Sequence, residues 1–188
     1  MDSTPGKHNA SKSTSKDIIN CMPEDVITNI LNRLPIQYAV RTSTLSRNWR
    51  FKWTSLNHVV LDEEFYDYLR GLGVDNWYNE MNISVIFHLI KGSITKFDLF
   101  IPYDKVLDVN SINYWVMLLS KKGIKDLKLI NMYPETLRLS SHLFSCVKLE
   151  RLALRRCSIF PAQPTSCGFP NLLHLHLDCV EFVKGNFG

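Results

Sequence analysis

Met22-Pro23-Glu24-Asp25-Val26-Ile27, followed by Ile30-Leu31, Leu34-Pro35, Ala39-Val40-Arg41, Leu45-Ser46-Arg47 and Trp49-Arg50, decides how the N-terminal part of the chain folds. Pro23 suits the first turn of a helix, where its missing N–H would be unpaired anyway. Glu24 and Asp25 favour the positive end of the helix dipole. Val26, Ile27, Ile30, Leu31 and Leu34 recur at helical spacing and form one wide apolar stripe. Pro35 ends that helix, because the residue before a proline is pushed out of the α region. A short second helix is predicted from Ile36 to Ser43, with Ala39 and Val40 inward. A third, from Leu45 to about Trp53, carries Leu45, Trp49 and Trp53 at steps of four, with Arg41, Arg47 and Arg50 on the solvent side. Helices this short bury little surface, so the unit needs a partner or the domain attached to it.

Working outward, residues 1–16 are rich in Ser, Thr and Lys and nearly devoid of apolar side chains, which predicts a disordered tail. The tail has no apolar h-region, so it does not read as a secretory signal. No apolar run approaches the ~20 residues of a membrane span, and the reading is a soluble protein of the cytoplasm and/or nucleus that does not engage membranes. The net charge of +4 carries no lysine/arginine block, which argues against nucleic acid as a partner. Cys21, Cys146, Cys157, Cys167 and Cys179 are scattered without a CxxC pair. They read as reduced thiols, mostly filling small core positions.

After Leu56 the period changes. Leu56/Val59/Leu61, Ile94/Phe97/Leu99, Ile124/Leu127/Leu129, Leu149/Leu152/Leu154 and Leu172/Leu175/Leu177 all have L-x-x-L-x-L spacing, and the last four units start 30, 25 and 23 residues apart. A period in the twenties with this internal spacing is the leucine-rich-repeat signature, one short strand per unit. Between strands, residues 76–91 predict a helix with Trp77, Met81, Val85, Ile86, Leu89 and Ile90 on one side, stopped at Gly92. Residues 111–122 predict another, with Ser111 as N-cap, Ile112, Trp115, Val116 and Leu119 on one face, and Gly123 as stop. Residues 139–147 and 159–170 read as single helical turns or coil, and Glu63-Glu64 as a surface turn. No polar segment caps the last repeat, which predicts an exposed apolar edge prone to self-association.

Strand register assigns faces. With Phe97, Leu99, Leu127, Leu129, Leu152, Leu154, Leu175 and Leu177 inward, the concave face shows Lys96, Asp98, Phe100, Asp126, Lys128, Ile130, Arg151, Ala153, Arg155, His174, His176 and Asp178. Lys96, Lys128, Arg151 and Arg155 are expected to form a basic ladder suited to an acidic segment, with His174 and His176 alongside. His174, His176 and Asp178 share a face, but no second cluster completes a metal site. No G-x-S-x-G, H-E-x-x-H or phosphate-cradling glycine loop occurs, so no catalytic residue, metal or cofactor is expected. Tyr114, Trp77 and Trp115 read as core aromatics.

The residues quoted at the outset resemble the F-box motif in the form common among plant F-box proteins with leucine-rich repeats, and the resemblance covers about forty residues without a gap. Met22 stands where leucine is usual, and Asn48 where a basic residue is common. The resemblance implies an α+β chain: a three-helix F-box at 17–56, then a partial leucine-rich-repeat α/β solenoid at 57–188 with parallel strands and irregular convex helices. It also implies a non-catalytic substrate receptor that hooks onto the Skp-family adaptor, and through it a cullin, in an SCF-type ubiquitin ligase, with an unknown protein as substrate. The adaptor-facing positions would be Met22, Pro23, Val26, Ile27, Ile30, Leu34, Pro35, Val40, Leu45 and Trp49. The competing reading is an adaptor-binding competitor that delivers nothing, because the repeat region is short and uncapped.

Overall fold

Two prolines set the first two helices. In the computed structural model, which describes residues 21–73, 76–160 and 168–183 and of residues 76–82 only the backbone, α1 (Glu24–Leu31) starts after Pro23 as N-cap, at φ −57. Its last turn tightens through Arg33 N–H to the Ile30 carbonyl and Leu34 N–H to the Leu31 carbonyl, both 3.1 Å. Pro35, at φ −52, then caps α2 (Ile36–Arg41), and its carbonyl accepts from Tyr38 and Ala39. The predicted tail and residues 17–20 lie outside the described residues.

The third N-terminal helix is not formed as an α-helix. Residues 42–56 are a chain of tight i→i+3 turns, with 3-10 segments at Thr42–Thr44 and Lys52–Ser55. The cause is local. The hydroxyls of Thr42, Thr44, Thr54 and Ser55 each donate to the carbonyl three residues back, at 2.7–2.8 Å. Such side-chain bonding competes with α-helical pairing. Trp49 and Trp53 are buried all the same, while Leu45 is exposed.

The rest is a parallel solenoid. β1 (His58–Leu61) is followed by α3 (Glu63–Gly71), α4 (Asn76–Leu89), β2 (Lys96–Ile101), α5 (Val109–Lys122), β3 (Asp126–Asn131), β4 (Leu137–Leu139), β5 (Arg151–Arg155), β6 (Cys157–Ile159), β7 (His174–Asp178) and β8 (Glu181–Phe182). The main sheet has the order β1-β2-β3-β5-β7, all parallel. A second parallel sheet, β4-β6-β8, forms from short stretches for which the sequence predicts no strand. Each step of the main sheet is joined by one carbonyl that accepts two N–H groups from the next unit: Asn57 from Thr95 and Lys96, Thr95 from Lys125 and Asp126, Lys125 from Glu150 and Arg151, and Glu150 from Leu173 and His174, at 2.8–3.1 Å. Asn32 ties the N-terminal helices to the first unit, its Oδ1 accepting from Asn57 N–H at 3.1 Å and His58 N–H at 3.2 Å.

One continuous core runs from Ile27 and Leu31 through Trp53, Tyr66, Phe87, Phe97 and Trp115 to Leu154 and Ile159. The expected inward residues of β2, β3 and β5 are buried; Leu175 and Leu177 keep that register but are exposed, because β7 is the edge strand of the described sheet. Several helix expectations need correction. Glu63-Glu64 open α3 rather than a surface turn, with the Asp62 carboxylate accepting from Phe65 N–H at 3.0 Å. α4 ends at Leu89, with Ile83 and Phe87 buried and Ile90 buried just past its end, leaving Val85 and Leu89 exposed; Gly92 does not adopt the left-handed conformation. The side chains of Trp77 and Met81 lie outside the description. α5 buries the predicted Ile112, Trp115, Val116 and Leu119 and stops at left-handed Gly123, but its N-cap is Asp108, which accepts from Ser111 N–H. Tyr114 is exposed, stacked on His88 at 6.2 Å.

Asn131, 3% exposed, closes the turn after β3. Its Nδ2 donates to the carbonyls of Glu135 at 2.7 Å and Arg156 at 3.1 Å, and its Oδ1 accepts from Tyr133 N–H at 3.0 Å. Asn131→Leu removes three hydrogen bonds and leaves the Tyr133 N–H and the Glu135 carbonyl without these partners, while the Arg156 carbonyl keeps the Leu137 N–H at 3.1 Å. It is expected to lower stability by roughly 2–3 kcal/mol, read as a lower denaturant midpoint at unchanged slope. A variant within about 0.5 kcal/mol of the parent would show that the turn holds without it.

Candidate functional site

The N-terminal helices divide their apolar residues between two sides. Ile27, Leu31, Ile36, Ala39, Trp49 and Trp53 face inward and are buried against β1, α3 and the rest of the core. Val26, Ile30, Leu34 and Leu45 face outward, 39%, 42%, 39% and 63% exposed. Phe51, at 64%, joins them as an exposed aromatic that the periodicity did not single out. Of the ten expected adaptor-facing residues, Ile27 and Trp49 therefore sit in the core. Met22 and Val40 are partly buried against it, Pro35 is half-buried, and Pro23, Val26, Ile30, Leu34 and Leu45 are on the surface. Val26, Ile30 and Leu34 lie at helical spacing, so this side of α1 and the residues just after it carries an exposed apolar stripe. Lys52 of the second 3-10 segment pairs with Glu24 of α1, and Arg41, Arg47 and Arg50 are exposed as expected.

The concave face differs from the expected basic ladder. Cross-strand register places His58, Lys96, Asp126, Arg151 and His174 in one row, Val60, Asp98, Lys128, Ala153 and His176 in the next, and Phe100, Ile130, Arg155 and Asp178 in the third. Each row mixes signs. Arg151 Nε meets Asp126 at 2.9 Å, Arg155 Nε meets Asp178 at 3.0 Å, and Lys96 meets Asp98 at 3.3 Å. The face is a charge checkerboard over β3, β5 and β7 and more apolar around Val60, Phe100 and Ile130. A shallow groove of about 530 Å³ runs along it beside Lys128, Ala153, His174 and His176. His174 and His176 are exposed there, while Asp178, their expected face-mate, is engaged by Arg155 and by the Cys179 thiol at 3.3 Å.

Burial pushes the Asp98 carboxyl above its ordinary range, Lys96 opposing the shift. The sign follows: the fold prefers the protonated acid, so this group's contribution favours folding as pH falls through its folded pKa and opposes it at neutral pH. Asp98→Asn is therefore expected to leave the melting temperature unchanged or slightly raised at pH 7, with the difference shrinking as pH falls and gone only below the ordinary carboxyl value of 3.8. A clear loss of stability at pH 7 would mean that the Lys96 pair outweighs burial. Cys146 and Cys157 are buried and their thiols are pushed up to about 12 by desolvation, which keeps them unreactive. Cys21 and Cys179 are exposed, against the expectation of mostly core cysteines, and Cys167 is outside the described residues. Among the described residues no helix is long and apolar enough to cross a membrane, and no cluster of three metal-ligating side chains forms.

Comparison with known proteins now bears on these two surfaces. Residues 19–61 match the F-box domain family model, which spans α1, α2, the 3-10 turns and β1. Residues 112–187 match the model described as FBD-associated F-box protein At5g56370, LRR repeats. The chain is 35% identical over 163 residues to F-box/FBD/LRR-repeat protein At1g13570 of Arabidopsis thaliana, covering 87% of this chain and 38% of that protein. It is 27% identical over 172 residues to F-box/FBD/LRR-repeat protein At2g04230 (90% and 38%) and 28% identical over 188 residues to F-box/LRR-repeat protein At4g14103 (94% and 46%), both from the same plant. The chain thus spans well under half the length of these relatives. No solved structure matches it. The exposed helical surface lies in the F-box match and most of the checkerboard face in the repeat match: the chain carries an F-box domain followed by leucine-rich repeats of the FBD-associated type, the combination named in these plant relatives.

Proposed function

We propose that the chain is a non-catalytic substrate receptor of an SCF-type cullin–RING ubiquitin ligase, acting in the cytoplasm and/or nucleus. The F-box docks on a Skp-family adaptor and through it a cullin, and the repeat surface presents a protein substrate. The observation that carries this is the divided apolar stripe of α1: its inner half is already satisfied by the core, so Val26, Ile30 and Leu34 are left for a partner. Apolar anchors at helical spacing are what a groove-type interface uses. Purified full-length chain mixed with a Skp-family adaptor is expected to elute as a complex in size-exclusion chromatography; separate elution at tens of micromolar sinks the reading.

Substrate capture is assigned to the concave face. Its checkerboard of paired charges suits a segment of mixed charge better than the uniformly acidic one expected from sequence. Arg151→Glu with Arg155→Glu puts two acids against Asp126 and Asp178, and is expected to abolish the capture of adaptor-independent partners in proximity labelling while leaving the adaptor bound. An unchanged partner set removes this face from substrate binding.

A further inference from the structure

An apolar groove of about 290 Å³ opens between α2, α3 and α4, where the F-box helices meet the first repeat. Val40, Phe65, Leu69, Val85 and Leu89 line it, and Val85 and Leu89 are 46% and 43% exposed. Polar groups are contributed to the lining by Gln37 and Arg41 of α2 and by the phenol of Tyr68 of α3. Gln37 is only 7% exposed, and its Oε1 is buried with no hydrogen-bond donor among the described residues. Arg41 is exposed and has no carboxylate within ion-pair distance among the described residues. Four residues apart on one helix, they stand on the same face, about one turn from each other. Of the residues expected to face the adaptor, only Val40 reaches this groove.

A buried acceptor left without a donor is costly, and native structures rarely keep one without a use. We infer that this groove is a small-molecule site for an apolar, mono-anionic ligand with one hydrogen-bond donor. The apolar walls take a fused-ring or similarly flat body. The donor, an O–H or N–H, meets Gln37 Oε1. The anionic end meets the Arg41 guanidinium at the mouth, where charge complementarity selects an acid over a neutral or cationic ligand. The groove volume lies near the lower end of ligand pockets, so the ligand is small, on the order of fifteen non-hydrogen atoms.

Three fluorescent probes separate these contributions in titrations of the full chain: 6-hydroxynaphthalene-2-sulfonate, naphthalene-2-sulfonate without the donor, and 2-naphthol without the anion. The complete probe is expected to bind saturably at one site and the other two more weakly. Arg41→Ala weakens both sulfonates by about tenfold and leaves 2-naphthol unchanged; Gln37→Leu weakens the two hydroxylated probes by about fivefold and leaves naphthalene-2-sulfonate unchanged. Val85→Trp fills the groove and abolishes binding of all three, with Leu89→Trp in its place if that variant fails to fold by circular dichroism. No saturable binding to the parent chain overturns the inference. So does binding that survives the groove-filling variant, or that is lost instead with Leu175→Asp at the exposed sheet edge.

Discussion

Ile30→Asp combined with Leu34→Asp is expected to abolish adaptor binding, by more than about a hundredfold, while the chain stays folded. Both side chains are around 40% exposed and contribute little to the core, so thermal melting of the double variant should lie close to that of the parent. In the complex the carboxylates would be desolvated against an apolar surface without a counter-charge. The same logic separates these positions from Ile27 and Trp49, although all four belong to one sequence motif. Trp49 is 4% exposed, and Trp49→Ala is expected to remove about 3–5 kcal/mol from the fold itself. Loss of binding in that variant would say nothing about the interface. If Ile30→Asp/Leu34→Asp binds the adaptor as the parent does, the outer side of α1 is not the docking surface.

Trp115→Ala is the substitution expected to damage the fold most. Trp115 is fully buried on α5, its ring centroid 6.1 Å from Phe87, which in turn lies 5.2 Å from Phe97 of β2. Its indole N–H donates to Ser84 of α4 at 2.9 Å. One side chain thus holds α4, α5 and the main sheet together. Its truncation removes about 3–5 kcal/mol, a large share of the roughly 5–15 kcal/mol of a typical domain. The melting temperature should fall by roughly 10 °C or more. Trp115→Phe keeps an aromatic ring beside Phe87 and loses only the Ser84 bond and the volume difference, so it should retain most of that stability. A small effect of Trp115→Ala would mean that α4 and α5 are held to the sheet elsewhere.

These positions also show what the sequence made legible. The buried face and the end of α5 could be read because its apolar spacing and its glycine stop agree, while its N-cap lies three residues before the expected Ser111. The main strands could be read because L-x-x-L-x-L fixes both period and face. The third N-terminal helix could not, since the threonine and serine hydroxyls at 42–55 turn the backbone into i→i+3 steps that apolar spacing does not register. The second sheet was missed because its strands are two or three residues long, too short for any periodicity. The basic ladder failed for a different reason. One strand's sequence says which side chains share a face, but not which acid stands opposite, and the observed register sets Arg151 beside Asp126 and Arg155 beside Asp178. In the N-terminal unit the spacing and the two prolines placed α1 and α2, and only burial divides their apolar residues between core and surface. Nothing in the spacing singles out Asn131, which the structure shows as a buried bracket for three backbone groups.

The doubly accepting carbonyls of Asn57, Thr95, Lys125 and Glu150 recur at the start of every step in the main sheet, although the units they join differ in length. The solenoid is therefore gauged at one atom per unit and not by residue count. Everything between two such atoms, whether a pair of helices or a single turn, is free to lengthen, shorten or change its chemistry without shifting the strands that follow. The scaffold keeps its pitch while the segments between its strands differ in length and kind from one unit to the next.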